Sequence, residues 1–187
     1  MAERAVYFGQ PTWKGGHVSS GAPTLAQRWF CPEGATGPYL DTYVLVGNPS
    51  FSTPAPVTVE YLTGTGDIVS EQFVVAPHTR LTIDLESRSP LLANAAVSTV
   101  VTSTSPVVVE RATYWGGAFT NWIDGTSSMG TTGSATTWAV ADVRVGGRDA
   151  YETWLLLTNE NDHDIEVDLT VLPESGAIME YIIAGVA

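Results

Sequence analysis

An all-β chain, built as tandem immunoglobulin-like antiparallel β-sandwich units of which the second is incomplete, is the fold class that three observations predict. Apolar residues arrive in short runs dominated by valine, threonine, tyrosine and isoleucine, such as "TYVLVG", "VTVEYL", "FVVA" and "VSTVVTS", with Gly, Pro, Asn and Ser clusters between them. Within several runs apolar and polar residues alternate, the period of a strand with one buried and one wet face. The chain also repeats itself at long range, which points to one structural plan used twice.

The runs justify the elements in order. "ERAVYFG" at 3–9 opens the chain as a strand and leads into the glycine-rich loop "WKGGHVSSG" at 13–21. "DTYVLVGN" at 41–48 follows, and in "PVTVEYL" the residues Val57, Val59 and Tyr61 alternate with Thr58 and Glu60. "GTG" at 64–66 is a hairpin turn, glycine taking the positive φ that other residues avoid. "TRLTIDL" at 79–85 alternates again, and "SPLLANAAV" near residue 90 has only the look of a single helical turn or crossover. "VSTVVTS" and "PVVVERATYW" are the next strands, and "PESG" at 173–176 is a second hairpin turn before the closing run "YIIAGVA".

Self-comparison sets the organisation. "ERAVYFG" at 3–9 returns as "ERATYWG" at 110–116, and Trp13, Gly16, Ser19, Gly21 and Trp29 return as Trp122, Gly125, Ser128, Gly130 and Trp138, an offset of 109 positions. "DTYVLVGN" at 41–48 then matches "ETWLLLTN" at 152–159, and "PVTVEYLTGTG" at 56–66 resembles "IEVDLTVLPESG" at 165–176. The expected units are residues 1–109 and 110–187, the second lacking counterparts of "TRLTIDL" and "VSTVVTS". A sandwich short of two strands exposes sheet edges and part of an apolar face. Either the chain is a segment of a longer tandem array, or a neighbouring chain adds strands at the C-terminal end by β-augmentation.

Composition narrows the function. The 187 residues are 44% hydrophobic, enough for a packed core, yet no run nears the roughly 20 residues of a membrane-spanning helix. The start, "MAERAVYFGQ", carries acid and base early and does not read as a secretory signal. A net charge of −12 with only eight Lys and Arg argues against a nucleic-acid partner. Cys31 is a single cysteine, so no internal disulfide is expected, and no cofactor is implied.

Several residues invite a chemical reading and a structural one. His17 with Ser19 or Ser20 has the ingredients of a base and nucleophile, but the second copy has Thr126 in place of His17, which favours a turn anchored by tryptophan. Cys31 is matched by Val140, as a small buried hydrophobe would be. Glu33 is matched by the acid Asp142, and Arg4 by Arg111; the expectation is that each arginine pairs with the acid of its own unit, pinning loop to sheet. "NENDHD" at 159–164 offers Asp162 and Asp164 as weak metal candidates, without the glycine and ligand register of a calcium loop. Asn48 and Asn159 recur as left-handed turn residues capping a strand end. Trp13, Trp29, Trp122 and Trp138 recur as scaffold, with Trp13 and Trp122 the residues to stack on a sugar ring if the chain binds glycans.

"RWFCPEGATGPYLDTYVLVGNPS", together with "VEYLTGTG", "VSTVVTSTSPVVVERATYW" and the W-x-x-G-x-x-S-x-G loop, resembles a tandem repeat of large secreted or surface proteins of Gram-positive-type and filamentous bacteria, mostly domains of unknown function. Pro32, Glu33 and Gly34 fit its small-acid-glycine pattern after "WF", whereas Cys31 departs from it, and "TWAVADVRVGG" in the second copy departs further. The resemblance spans nearly the whole chain and carries no catalytic motif. It implies an extracellular or cell-surface β-sandwich array, non-enzymatic, acting as stalk, spacer or adhesive surface, with neighbouring units or other copies as partners. A carbohydrate-binding module accompanying a glycoside-active enzyme is the competing class.

Overall fold

The structure, a computed structural model, describes residues 2–9, 11–116 and 122–186. The chain divides into two compact units, Met1–Val140 and Ala141–Ala187. The strands are β1 (Glu3–Phe8), β2 (Gly15–Ser20), β3 (Ala26–Cys31), β4 (Leu40–Asn48), β5 (Ala55–Thr63), β6 (Ile68–Val75), β7 (Thr79–Asp84), β8 (Val97–Trp115), β9 (Asp124–Met129), β10 (Ile165–Val171) and β11 (Met179–Val186). Every ladder among the described residues is antiparallel, so the all-β class is observed. The turn expected near residue 90 is a single 3-10 turn, Pro90–Leu92, which the Ser89 hydroxyl caps by accepting from the Leu91 amide.

The first unit is organised by β8, which is 19 residues long. Its N-terminal half lies between β5 and β3, so that Val101 has Val59 on one side and Trp29 on the other. Its C-terminal half lies between β4 and β9, flanking Arg111 with Val44 and Ser128. With β6 outside β5 and β7 outside β4, the sheet runs β6-β5-β8-β4-β7 and curls into a half-barrel. Pro106 sits at the changeover: the ladder to β5 has ended at Ser103 and that to β4 starts at Val108, so the missing amide hydrogen costs no rung there. The repeat boundary between residues 109 and 110 lies inside β8, where Val109 faces Val46 and Glu110 faces Leu45.

Alternation decides what the half-barrel encloses. Val44 and Val46 of β4, Val57, Val59 and Tyr61 of β5, and Val107 and Val109 of β8 are buried with Trp29, Leu85 and Leu92 in one cluster. Burial of side chains of this size stabilises by about 1.5–3 kcal/mol each, against the chain entropy they lose. β1 and β2 form a separate antiparallel hairpin.

The second unit holds one hairpin, β10–β11, with a register shift between Ile165 and Val167, and an isolated bridge between Gly146 and Tyr151. Residues 152–158, the repeat counterpart of β4, belong to no strand.

Candidate functional site

Two hairpins carry the repeated loop motif, and they share one register. In the first, Arg4 faces Ser19 and Tyr7 faces Gly16; in the second, Arg111 faces Ser128 and Tyr114 faces Gly125. The register explains the glycine of W-x-x-G-x-x-S-x-G. A Cβ on Gly16 would lie 2.8 Å from the Tyr7 ring, and one on Gly125 would lie 2.6 Å from the Tyr114 ring, so in both hairpins the cross-strand tyrosine lies down over the glycine. It explains the serine as well. Arg4 Nη2 donates to Ser19 Oγ at 2.9 Å, and Arg111 Nη2 donates to Ser128 Oγ at 3.1 Å.

The arginines then diverge. Arg111 is buried, forms an ion pair with Glu33 and donates to Thr113 Oγ1 at 2.8 Å. Arg4 forms an ion pair with Glu110 and donates to Ser127 Oγ at 2.8 Å. Asp142 is exposed and lies 3.4 Å from Arg144. The expected pairing within each unit is therefore crossed: the arginine of the second copy holds the acid of the first. The reason is β8, which carries Arg111 back between β4 and β9, within reach of the loop after β3.

Around Arg4 the first hairpin is fastened to the second. His17 Nδ1 lies 2.8 Å from Ser127 Oγ and its Nε2 lies 3.4 Å from the Tyr114 hydroxyl, so His17 meets Ser127 and not the adjacent Ser19 or Ser20. Burial, with the Arg4 charge second, pushes the His17 pKa below its usual value against the opposing pull of Glu110 and Asp124, which favours the neutral imidazole. Ser127 can then donate to Nδ1 while accepting from Arg4. A serine within hydrogen-bonding reach of a histidine is one half of a nucleophile–base pair, but the far side of this imidazole meets a phenol where a triad has its carboxylate.

Aromatic rings close the cluster. Trp122 stacks on Tyr114 with centroids 4.7 Å apart, meets Tyr43 edge-on, and donates its indole N–H to Asp41 Oδ2 at 2.6 Å. Its repeat partner Trp13 is 53% exposed at the β1–β2 turn, in the left-handed region with φ 48°. The two residues considered for sugar stacking thus have different surroundings, one with its ring against a tyrosine and one open to solvent. Trp29 is 2% exposed and donates to the Ala26 and Val107 carbonyls, whereas Trp138 is 64% exposed and keeps only the equivalent local bond, to Ala135.

The recurring asparagines work differently from the sequence expectation. Positive φ at non-glycine positions falls on Trp13, His78 and Ala150 among the described residues, not on Asn48 or Asn159. Both asparagines are buried and act through the side chain. Asn48 Nδ2 donates to the carbonyls of Thr53 and Val75, and its Oδ1 accepts from the Ser50 amide. Asn159 Nδ2 donates to His163 and Val186, and its Oδ1 accepts from the Asn161 amide. Each ties a loop to the strand end 27 residues onward. The same fidelity appears at Thr42, whose hydroxyl exchanges two bonds with the backbone of Ala35, and at Thr153, which does the same with Arg144.

At the metal candidates, Asp162 Oδ1 lies 2.9 Å from His163 Nδ1 in solvent, and no group of three His, Cys, Asp or Glu side chains that could hold a metal ion occurs among the described residues. Cys31 is buried and its thiol is pushed up to about 11 by burial, with Arg111 opposing, so it stays a thiol near neutral pH.

Neither a protein-family model nor a curated protein matches the chain. Among solved structures it is similar to Thermotoga maritima 1070, at 18% identity and a TM-score of 0.50, over 58% of this chain and 97% of that one. It is also similar to the Anabaena sensory rhodopsin transducer, at 18% identity and a TM-score of 0.41, over 49% of this chain and 99% of that one. At such identities the first likeness is one of fold.

Proposed function

We infer that the chain is a non-enzymatic structural repeat region of a bacterial secreted or cell-surface protein, built as tandem immunoglobulin-like sandwich units and serving as stalk, spacer or assembly subunit. The observation that carries this reading is where the repeated side chains are spent. Arg4 and Arg111, Ser19 and Ser128, Thr42 and Thr153, and Asn48 and Asn159 recur as fasteners of strands and loops, the same bond made twice. Exposed apolar residues of the second copy supply the surface for assembly, since Trp154, Leu155, Leu156 and Leu157 face solvent in a segment without a ladder partner. Neighbouring repeat units or other copies of the chain are the partners, through strand addition at the C-terminal end. Sedimentation velocity over a wide concentration range tests this: association that grows with concentration is expected, and a monomer throughout would overturn it.

One observation favours a second reading, a carbohydrate-binding module. Trp13 offers an open indole at a hairpin turn. Glycan-array binding lost in Trp13→Ala, with folding intact, would establish it; an array without signal would remove it.

A further inference from the structure

The β1–β2 hairpin and residues 152–157 carry complementary halves of a junction that the first unit already contains in assembled form. There, β8 from Glu110 to Tyr114 lies between β9 and β4, pairing Leu45 with Glu110, Val44 with Arg111, Tyr43 with Ala112, Thr42 with Thr113 and Asp41 with Tyr114. The β1–β2 hairpin reproduces the β8–β9 part in sequence and register, yet β1 has no ladder partner besides β2 among the described residues. Residues 152–157 reproduce the β4 part, down to the Thr153 bonds with Arg144, and they too have no ladder partner. Each edge lacks what the other offers.

We propose that the β1–β2 hairpin of a second copy of this chain docks against residues 152–157, with β1 antiparallel to that segment and Ala5 opposite Trp154. The proposal rests on the assembly reading above and names its partner and register. The offset of 107 positions from Glu3 to Glu110 and of 111 from Asp41 to Glu152 fixes the other pairs: Tyr7 opposite Glu152, Val6 opposite Thr153, Arg4 opposite Leu155 and Glu3 opposite Leu156. Leu155 and Leu157 take the places of Val44 and Val46, which β8 helps to bury in the first unit. Charge agrees with this register. Arg4 stands in the place of Arg111 and Asp142 in the place of Glu33, so the ion pair seen between Arg111 and Glu33 has its counterpart across the junction. Arg4 Nε is buried without a hydrogen-bond partner and the terminal nitrogens hold Glu110, Ser19 and Ser127, so the junction pair with Asp142 forms by exchange of the Arg4–Glu110 contact. The Thr42–Thr113 hydroxyl contact has no counterpart, since Val6 replaces Thr113. Because the two surfaces differ, the contact is heterologous and each copy can receive one hairpin and donate another.

Cysteine pairing tests the register. In a Cys31→Val background, which removes the native thiol in favour of the residue the second copy has there, Ala5→Cys chains are mixed with Trp154→Cys chains and oxidised gently. The reducible heterodimer is expected about tenfold in excess over that from Ala5→Cys with Leu157→Cys, three positions out of register. If a doubly substituted chain closes only on itself and the mixture yields no heterodimer, the hairpin docks within its own chain and the proposal falls. If the unsubstituted chain associates in the ultracentrifuge but the in-register pair shows no excess, this junction is wrong while the assembly reading stands; a monomer at every concentration removes both. Should the cysteine variants fail to fold, hydrogen exchange on the unsubstituted chain decides: amides at 3–8 and 152–157 gain protection together as concentration rises, and exchange unchanged by concentration overturns the junction.

Discussion

Residues 26–48 and their counterparts at 135–159 share a sequence plan and a set of local bonds, but they end in different states. Thr42 and Thr153 hold their loops with the same two hydrogen bonds, Gly37 and Gly146 bridge to Leu40 and Tyr151, and Trp29 and Trp138 each donate to the carbonyl three residues back. Yet Val44 is fully buried, whereas Leu155 in the same place is 47% exposed. What separates them is a central strand: β3 and β4 of the first copy pair with β8, whereas residues 152–158 belong to no ladder among the described residues. Local chemistry shapes the loops, and the central strand confers the burial.

Substitutions at paired positions break this comparison most directly. Trp29→Ala is expected to cost about 3–5 kcal/mol in chemical denaturation, from lost burial and a cavity, whereas Trp138→Ala changes it by less than about 0.5 kcal/mol in the monomer. Equal effects would mean that Trp138 packs as its twin does. Next in size, Asn48→Ala leaves the buried Val75 carbonyl, the Thr53 carbonyl and the Ser50 amide without their partner and is expected to cost about 1–3 kcal/mol. Asn159→Ala leaves the His163 and Val186 carbonyls and the Asn161 amide without their partner, but because its hairpin stands in a separate unit the loss is expected as faster amide exchange at the end of β11 and not in the first unit's melting.

Smaller effects sharpen the contrast between the two acids. Glu33→Gln strips the buried Arg111 of its counter-charge and is expected to lower stability by about 1–2 kcal/mol, moderated because water reaches the Glu33 carboxylate; Asp142→Gln is near neutral in the monomer. The smallest is a pH effect at His17. Its pKa is depressed on folding, so the unfolded chain binds more protons in the window just below 6.5, and stability present above that value is lost as pH falls through it. Denaturation midpoints across this window should lose that component of their slope in His17→Thr, which carries the residue of the second copy.

How much of this was legible follows from what each residue answers to. The alternation at Val57, Val59 and Tyr61 and the glycine turns answer to neighbours close in sequence, and the structure has them as strands and turns; "WKGGHVSSG", expected as a loop, is instead mostly strand β2, because its glycines make room for the cross-strand rings of β1. Pro106 split the sequence pattern of β8 into two runs, because a proline ordinarily ends a ladder; here it stands where one pair of neighbours gives way to another. The crossed pairing of Arg111 with Glu33 was hidden for the same reason, since an offset between repeats says which residues correspond but not which strand is shared. Glu110, Ser127 and Tyr114 carry little local signal because their partners, Arg4 and His17, lie about a hundred positions away, and what the sequence offers for them is the recurrence of "ER" itself.

The length and position of β8 also set an order of events during synthesis. Strands β3 to β7 leave the ribosome before the segment that joins them exists, and the Trp29 indole must wait for a carbonyl 78 residues further on. Until then β3, β4 and β5 are open edges, a long exposure for contacts of such sequence separation. Pulse-labelled exchange during refolding is expected to show β3 and β4 amides becoming protected in the same kinetic phase as β8. The timing of translation across residues 97–115 is thus a point at which this chain is open to misassociation.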